Sequence, residues 1–423
     1  MKVSAHRAFG LLKELAYERV SCSEAEKQAA QKLLEVARST GAQAQIEEFP
    51  VACGRVNHAK LVVTEPYVKE YEVTGYERGL STPEGGADLD FYYAEGVEDA
   101  HLANVKGKAV MINGRLGKKA YEKLMKAGVA AILTFDGTTL DRRSETDCDI
   151  RKLREVLTED CGACTALHMR TMDAAEIVRR GAKKLHIELQ AEDCEGVSQN
   201  VCAVIEGTEH PEEIISFGAH YDSVYFSTGV YDNMSGSVII MELLRYFAEN
   251  KPARTMKFNW YGSEEQGLLG SKAWVNAHED ELDKHVLMIN IDVAAPILGK
   301  NVAPILATEK AVGYVDALMR EAGIACDTKL DIYSSDCIPF ADKGVPAVNL
   351  LRFGVPGAGY IHDRRDNLRS GYLSAEALDI TLQQALMFAK RVDGAQVFPI
   401  ERKVSDEIVK KVDEYLFKKK DKQ

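Results

Sequence analysis

The chain has 423 residues, 46% of them hydrophobic, which is enough apolar material for a large core and more than one domain. Its net charge of −12 argues against nucleic acid as a partner. No apolar run approaches the roughly 20 residues of a membrane span, and the N-terminal stretch has no signal-peptide pattern. The nine scattered cysteines suit free thiols in a reducing compartment. We expect a cytoplasmic protein with no membrane partner (secreted only if a leader has been removed), and oligomers are compatible with this composition.

The first predicted element is a helix near the N-terminus. Ser23 and Glu26 form the S-x-x-E pattern of a capping box, which predicts a helix to about Thr40 that stops at Gly41. Its expected buried stripe is Leu33, Leu34, Val36 and Ala37. A strand over residues 44–49 is expected to follow.

The texture of the sequence changes between residues 58 and 195, where short strand candidates alternate with loops rich in Gly, Asp and Thr. Val105–Ile112 is typical of a buried strand. Lys118–Phe135 predicts a helix, a glycine stop and a second strand. We therefore expect a smaller α/β domain inserted over residues 58–195.

From residue 196 onward, short apolar runs alternate with amphipathic stretches. The predicted strands are EIISFGA, TMKFNWY, HVLMINI and VPAVNLL, and the predicted helices are Ser235–Asn250, Ser271–His285 and Lys310–Ala322. This alternation predicts an α/β fold with a mostly parallel central sheet and helices on both faces. Residues 1–57 and 196–423 are expected to form this main domain together.

Polar side chains follow each of these four strands. They are, in order, His220, Glu265, Asp292 and His362, and Asp232 lies twelve residues past His220, ahead of a helix. Because the carboxyl ends of parallel strands share one edge of a sheet, these groups are expected to converge. Each has a plainer interpretation taken alone: Asp232 as a helix cap, the Glu264–Glu265 pair as dipole complementation, and each His as a hydrogen-bonded structural residue. Five such coincidences at one edge are much less probable than a common site.

Two histidines and three carboxylates supply nitrogen and oxygen ligands without sulfur, which zinc accepts readily. Two metal ions bridged by one carboxylate would use all five. Glu264 is then a spare carboxylate suited to accept a proton. Asp222, two residues beyond His220, is placed to fix the tautomer of that imidazole.

The motifs around these residues resemble the two-zinc exopeptidase family that includes aminopeptidase Y, bacterial leucyl aminopeptidases and glutamate carboxypeptidase. The matching strings are GAHYDS, YDNMSG, SEEQGLLGS, INIDV, YSSDCIPF and IHDRRD. The resemblance implies two zinc ions per chain, one held by His220 and Asp292 and the other by Glu265 and His362. It implies Asp232 as the bridge and Glu264 as the general base. The strings VKGKAVMI and KAGVAAILTFDG resemble the protease-associated domain often inserted in this family.

The sequence departs from the family pattern at Tyr231, Met234 and Cys337, none of which is a metal ligand in the family. These departures bear on substrate preference more than on catalysis.

The expected reaction is hydrolysis of N-terminal residues from peptides, with the Tyr333 hydroxyl as a further group for the oxyanion. A carboxypeptidase or dipeptidase is the first alternative, because Arg352, Arg364 and Arg365 could bind a carboxylate if they are not surface arginines. A catalytically silent binding scaffold and a single-zinc acyltransferase of the glutaminyl cyclase kind are further alternatives.

Overall fold

A computed structural model describes residues 2–144, 146 and 148–418. The chain divides into two compact units, Met1–Pro50 with Val197–Gln423, and Val51–Gly196. The sequence analysis placed the corresponding boundaries at 57/58 and 195/196. Within the described residues, no helix is both long and apolar enough to cross a bilayer.

The N-terminal elements are α1 (Ala5–Glu14), α2 (Glu24–Ser39) and β1 (Gln43–Glu65). Helix α2 starts as the capping box predicts, since the Ser23 hydroxyl accepts a hydrogen bond from the Glu26 N–H at 3.1 Å. Leu33, Leu34 and Ala37 are buried on one face. Val36, the fourth residue of the predicted stripe, is only half-buried.

The second unit contains its own sheet and core. Its elements are β2 (Lys69–Tyr71), β3 (Val73–Glu77), β4 (Ala87–Glu95), β5 (Ala109–Ile112), α3 (Lys118–Ala127), β6 (Ala131–Asp136), β7 (Arg151–Lys152), α4 (Glu155–Thr158), β8 (Thr165–Arg170), α5 (Thr171–Arg179) and the start of β9 (Lys184–Ile205). Strands β4, β5, β6 and β8 pair in parallel in that order. Gly128, with φ +75°, ends α3 where a glycine stop was predicted. The likeness of this unit to a protease-associated domain stays a prediction.

The remaining elements belong to the first unit. They are β10 (His210–His220), α6 (Ser235–Glu249), β11 (Arg254–Tyr261), α7 (Leu269–Ala277), β12 (His285–Asp292), β13 (Gly299–Leu306), α8 (Glu309–Glu321), β14 (Asp327–Leu330), α9 (Cys337–Asp342), β15 (Ala347–Gly354), α10 (Ala375–Asp393) and α11 (Asp406–Tyr415). Short helical turns cover Val230–Met234, Glu264–Gln266, Glu279–Lys284 and Leu368–Ser370.

The sheet of the first unit has the strand order β14-β13-β15-β12-β10-β11-β9. Strand β10 pairs in parallel with β11 and β12, and β12 pairs in parallel with β15. Strands β13 and β9 join it in antiparallel fashion, to β15 and β11 respectively. The predicted fold class, α/β with a mostly parallel central sheet, is confirmed.

Alternate residues of the central strands enter two different apolar layers. Phe217 of β10 and Phe258 of β11 stack at 4.9 Å in the layer that also holds residues of α1, α2, α6, α8 and α10. Tyr261 and Met288 enter the opposite layer, with residues of α7, α9 and α11. Each fully buried side chain of this size stabilises the fold by about 1.5–3 kcal/mol. Helices therefore cover both faces of the sheet, as predicted.

The predicted helix Ser271–His285 is wrong at its C-terminal end. Helix α7 ends at Ala277, and the backbone at His278 leaves the helical region with φ −115° and ψ 27°. The His278 ring stacks on Trp274 at 4.4 Å, and the turn Glu279–Lys284 leads into β12. Because β12 already begins at His285, this tighter turn must reverse the chain before the strand.

Candidate metal centre

The predicted ligands lie at one edge of the central sheet. His220 is the last residue of β10 and Asp292 the last of β12. Glu265 belongs to the turn that follows β11, and His362 lies in the loop after β15. These strands are mutually parallel neighbours, so their carboxyl ends deliver all four side chains to the same place. Asp232 joins them from the turn that precedes α6.

Asp232 lies between the two histidines. Its Oδ1 is 3.2 Å from His220 Nε2, and its Oδ2 is 3.4 Å from His362 Nε2. His362 Nε2 is also 2.9 Å from Glu265 Oε2, and His220 Nε2 is 3.8 Å from Asp292 Oδ1. Two ligand groups therefore share Asp232: one with His220 and Asp292, the other with Glu265 and His362, each with its ligand atoms within 4.8 Å of one another.

This arrangement fits two zinc ions. Ligand atoms about 2.0–2.1 Å from a tetrahedral zinc lie about 3.3 Å from one another, close to the distances around Asp232. The donors are imidazole nitrogens and carboxylate oxygens, the ligand types that zinc takes without sulfur. His220, Asp232 and Asp292 are buried, while the His362 side chain is 36% exposed. The centre is therefore open on the side of His362.

Glu264 lies next to this centre. Its Oε2 is 3.9 Å from His220 Nε2, and it forms a third group of possible ligands with His220 and Glu265. The carboxylate is therefore close enough to exchange a proton with a molecule bound at the centre.

Asp222 contacts both the histidine and the turn that carries the glutamates. One of its oxygens is 3.3 Å from His220 Nδ1, which matches the predicted contact. It also accepts the backbone N–H groups of Glu264 at 3.0 Å and Glu265 at 3.2 Å. This second role was not predicted from the sequence.

Burial and mutual repulsion dominate the electrostatics of the carboxyl groups. Burial raises the pKa of Glu264 well above its usual value, and the nearby carboxylates, Glu265 first, oppose its ionisation further despite His220. Burial likewise raises the pKa of Asp292. Asp232 is the exception: burial opposes its ionisation, but hydrogen bonds from His220 and His362 hold its pKa below the usual value.

Burial and the neighbouring carboxyl groups have opposing effects on the pKa values of the two histidines. Burial alone would lower the pKa of His220, but Glu264 and the aspartates around it raise that pKa well above the ordinary value. Glu265 is the main cause of the raised pKa of His362. The electrostatic potential at the centre is strongly negative, which favours the binding of a cation there.

Tyr333 lies between β14 and α9, with its ring centroid 5.3 Å from that of Phe353. Burial raises the pKa of Tyr333, and the neighbouring charges of Asp292 and Asp232 raise it further. The hydroxyl therefore stays protonated near the predicted ligands and remains a hydrogen-bond donor.

Three further buried carboxyl groups surround the centre, and sequence reasoning gave none of them a role. Asp366 accepts the backbone N–H groups of Tyr231 at 2.8 Å and Asp232 at 3.0 Å. Glu26 accepts the backbone N–H of Ser263 at 3.1 Å. Asp336 is 1% exposed, and burial raises its pKa to about 7. The quoted strings contain Asp336 and Asp366, and the capping box contains Glu26, but no spacing rule indicated these contacts.

The residues that depart from the family pattern pack around the loops of the site. The Tyr231 hydroxyl donates to the Arg352 carbonyl at 2.9 Å and accepts from the Gly354 N–H at 3.0 Å, which ties it to the end of β15. Met234 is buried in the main core, and Cys337 is buried with its sulfur 3.7 Å from that of Met288.

The arginines near the His362 loop differ in their surroundings. Arg352 is buried rather than at the surface, and it donates to the Pro296 carbonyl at 3.1 Å and Asn301 Oδ1 at 2.9 Å. Arg365 is paired with Asp363 at 2.5 Å. Neither guanidinium is presented as an open carboxylate site.

Comparison with known proteins gives a family match. Residues 200–389 match Peptidase family M28. Leucine aminopeptidase 2 of Trichophyton rubrum is 41% identical over 95 residues, 22% of this chain and 19% of that protein. Carboxypeptidase Q of Mus musculus is 23% identical over 68% of this chain and 64% of its own length, and aminopeptidase YwaD of Bacillus subtilis is 25% identical over 65% and 58%. In each case the match spans less than two thirds of the relative.

The fold has solved counterparts. A zinc aminopeptidase from Bacillus subtilis, BSAP, superposes with a TM-score of 0.77 at 20% identity, over 96% of this chain and 99% of that one. A peptidase M28 precursor from Shewanella amazonensis gives a TM-score of 0.75 at 24% identity, over 93% and 96%. These likenesses concern the fold, and the matched segment contains all five predicted ligands and Glu264. Residues 200–389 of the chain match the model of Peptidase family M28.

Proposed function

We propose that the chain is a zinc-dependent aminopeptidase that removes N-terminal residues from peptides. The observation that carries this proposal is Asp232, whose two oxygens face the two histidines of adjoining ligand groups, with Glu264 beside them. The match to a peptidase family and the names of two relatives, a leucine aminopeptidase and an aminopeptidase, support the same reaction.

In this proposal His220 and Asp292 would hold one zinc ion, Glu265 and His362 would hold the other, and Asp232 would be shared between them. Bound zinc would polarise the scissile carbonyl and lower the pKa of a water molecule. Glu264 accepts the proton of the attacking water and returns it to the leaving amine. Its Oε2 lies beside the proposed ligands, 3.9 Å from His220 Nε2, which suits a group that must act first as a base and then as an acid within one turnover.

Two other side chains assist in this scheme. Asp222 orients the His220 ring through Nδ1 and holds the backbone of Glu264, so imidazole and base keep a fixed relation. The Tyr333 hydroxyl, kept protonated, donates a hydrogen bond to the oxyanion that develops on the carbonyl.

The test is the variant Glu264→Gln, with Glu309→Gln as control. Glu309 lies exposed at the start of α8, and none of the predicted ligands belongs to that helix. Loss of the base should lower kcat by about a hundred- to ten-thousand-fold while two zinc ions per chain remain. Metal content by mass spectrometry and hydrolysis of aminoacyl anilides measure both quantities. Unchanged turnover in Glu264→Gln would exclude this residue as the base.

A carboxypeptidase is the second candidate, and the match to carboxypeptidase Q favours keeping it. The engaged guanidinium groups of Arg352 and Arg365 favour the aminopeptidase instead. Peptides blocked at either the amino or the carboxyl end separate the two. Hydrolysis that survives acetylation of the N-terminus but not amidation of the C-terminus would favour the carboxypeptidase.

We also propose a reducing, cytoplasmic location for the protein, with peptides as its substrates and no nucleic-acid partner. None of the nine cysteines, all of which lie in the described part of the chain, is joined in a disulfide. Labelling of acid-trapped thiols in the protein taken from cells should find all nine reduced after denaturation. Disulfide-linked cysteines in that experiment would contradict the proposed location.

A further inference from the structure

The turn that carries Glu264 and Glu265 is held through its backbone. Three successive N–H groups, those of Ser263, Glu264 and Glu265, each donate to a buried carboxylate. Asp222 accepts the last two, and Glu26 accepts the first. Ser263 has φ +53°, a left-handed conformation that costs a non-glycine residue about 1–2 kcal/mol. The turn therefore needs support from outside its own sequence.

Glu26 is well placed to give that support. It lies in the first turn of α2 and is fully buried, and its hydrogen-bond partners among the described residues are neutral donors. Its Oε1 accepts from Ser263 N–H at 3.1 Å and from the Ser198 hydroxyl at 2.8 Å, and its Oε2 accepts from Cys22 N–H at 2.7 Å. The carboxylate is thus shared between the N-terminal segment and the turn that bears the proposed base.

The backbone at Gly262 is closely packed against the Glu26 carboxylate. A Cβ atom at Gly262 would lie 2.5 Å from Ser198 Oγ and 2.9 Å from Glu26 Oε1. The hydroxyls of Ser21 and Ser263 also contact each other. The segment from Ser21 to Glu26 is therefore in direct contact with the backbone that precedes Glu264.

We infer that Glu26 is a positioning residue for Glu264, acting through the backbone of Ser263 to fix where the base carboxylate lies. The inference rests on the proposed function, because Glu264 has a position to keep only if it transfers the proton. It gives the N-terminal segment, 237 residues away in sequence from Ser263, a part in catalysis. Glu26 itself touches neither the metal ligands nor a substrate in this scheme.

The variant Glu26→Asp tests this inference. It keeps the carboxylate but shortens the side chain by one methylene, so the group cannot span Cys22 and Ser263 together. A displacement of the base by about 1 Å can cost a hundredfold in rate, so kcat should fall by about 10- to 100-fold. KM and zinc content should stay within about twofold of wild type. Glu24→Gln, at an exposed glutamate of the same helical turn, is the matched control and should leave kcat unchanged.

A second background separates positioning from a general loss of stability. Combined with Glu264→Gln, the change Glu26→Asp should lower the residual rate no further, because the base that it positions is already gone. If Glu26→Asp does not fold, Glu26→Gln takes its place. We then expect kcat to fall by only about tenfold, because the remaining amide oxygen can still accept from the Ser263 N–H.

The outcomes are distinguishable. Unchanged kcat in Glu26→Asp overturns the inference but leaves the proposed function standing. A loss that persists in full in the Glu264→Gln background, or that follows zinc loss, also overturns it. A wild-type protein that binds zinc but hydrolyses no peptide overturns the proposed function itself and, with it, the role given to Glu26.

Discussion

The variant Asp366→Asn should weaken the fold around Asp232, the proposed bridging ligand. Asp366 is fully buried in the loop after His362. Its Oδ1 accepts from Tyr231 N–H at 2.8 Å and from the Tyr372 hydroxyl at 3.2 Å, and its Oδ2 accepts from Asp232 N–H at 3.0 Å. One carboxylate therefore fixes the backbone on which Asp232 stands.

The expected size of the effect follows from these contacts. An asparagine has one acceptor oxygen, so its NH2 group must face the N–H of either Tyr231 or Asp232. One backbone hydrogen bond to a charged acceptor is then lost, which costs about 1.5–3 kcal/mol. Burial raises the pKa of Asp366 to about 7, so measurements at pH 8 compare the ionised carboxylate with the amide.

Urea denaturation followed by tryptophan fluorescence suits this measurement. Both tryptophans of the chain, Trp260 and Trp274, lie buried in the first unit, so the signal reports on the unit that holds Asp366. Metal content measured on the same samples shows whether the two zinc ions are retained.

Asp363→Asn is the control, because Asp363 lies in the same loop and pairs with its neighbour Arg365, at 24% side-chain exposure. A partly exposed pair of this kind is worth about 0–1 kcal/mol. If Asp366→Asn is no less stable than Asp363→Asn and keeps both zinc ions, the backbone of Asp232 does not depend on Asp366 and this reasoning is wrong.

Three other changes have defined outcomes. Chelation of zinc should abolish hydrolysis and lower the urea midpoint. The expected loss of unfolding free energy is about 2.7 kcal/mol if the free zinc concentration was 100 times its Kd before chelation. A chelated protein with unchanged activity and midpoint would count against the metal centre. Gly270→Ala should destabilise the protein by about 1–3 kcal/mol, because its Cβ would lie 2.3 Å from the Gly262 carbonyl oxygen. Gly313→Ala is the control and should not destabilise it, because a Cβ at that position of α8 meets open space. Equal urea midpoints for the two variants would refute the packing argument. Burial lowers the pKa of His285 to about 4 from its ordinary 6.5. As the pH falls below 6.5, the unfolded chain therefore binds a proton at His285 while the folded protein does not, which lowers the unfolding free energy by about 2 kcal/mol at pH 5. Relative to wild type, His285→Gln should show a shallower acid loss in urea midpoints at pH 7 and 5, and parallel losses would contradict the assignment.

The sequence predicted where the proposed ligands lie in the fold because the strands carry an unambiguous pattern. Each strand is a short apolar run, and each polar residue stands where such a run ends. His220 and Asp292 could be placed at one edge by the parallel-strand rule alone, and the structure has them there. The same reasoning cannot give distances, so the position of Asp232 between the two imidazoles required the structure.

The supporting carboxylates escaped prediction for a physical reason. Asp366 and Glu26 act on backbone N–H groups that are 134 and 237 residues away in sequence. A backbone donor has no side-chain identity, so no residue at the other end of the contact could signal it. Arg352 escaped for a related reason, since its partners are a carbonyl and an amide rather than an acid. The end of α7 was missed because the run that follows Ala277 has helical composition, whereas the start of β12 decides where the helix must stop.

The charge balance of the centre gives these supporting contacts their importance. Six carboxyl groups and two imidazoles lie together in a region from which most water is excluded. The carboxyl groups are those of Asp222, Asp232, Glu264, Glu265, Asp292 and Asp336. Like-charged groups at such distances repel strongly in a low dielectric, and left to themselves they would move apart or protonate. Two doubly charged cations would offset four of the six charges.

The remaining constraint is geometric, because a cation attracts any nearby oxygen and its charge alone does not favour Asp232 over Glu264. Asp366 fixes the backbone of the first, and Asp222 and Glu26 fix the backbone of the second. In the proposed function, the division between the bridging ligand Asp232 and the free base Glu264 is therefore set by backbone contacts outside the centre.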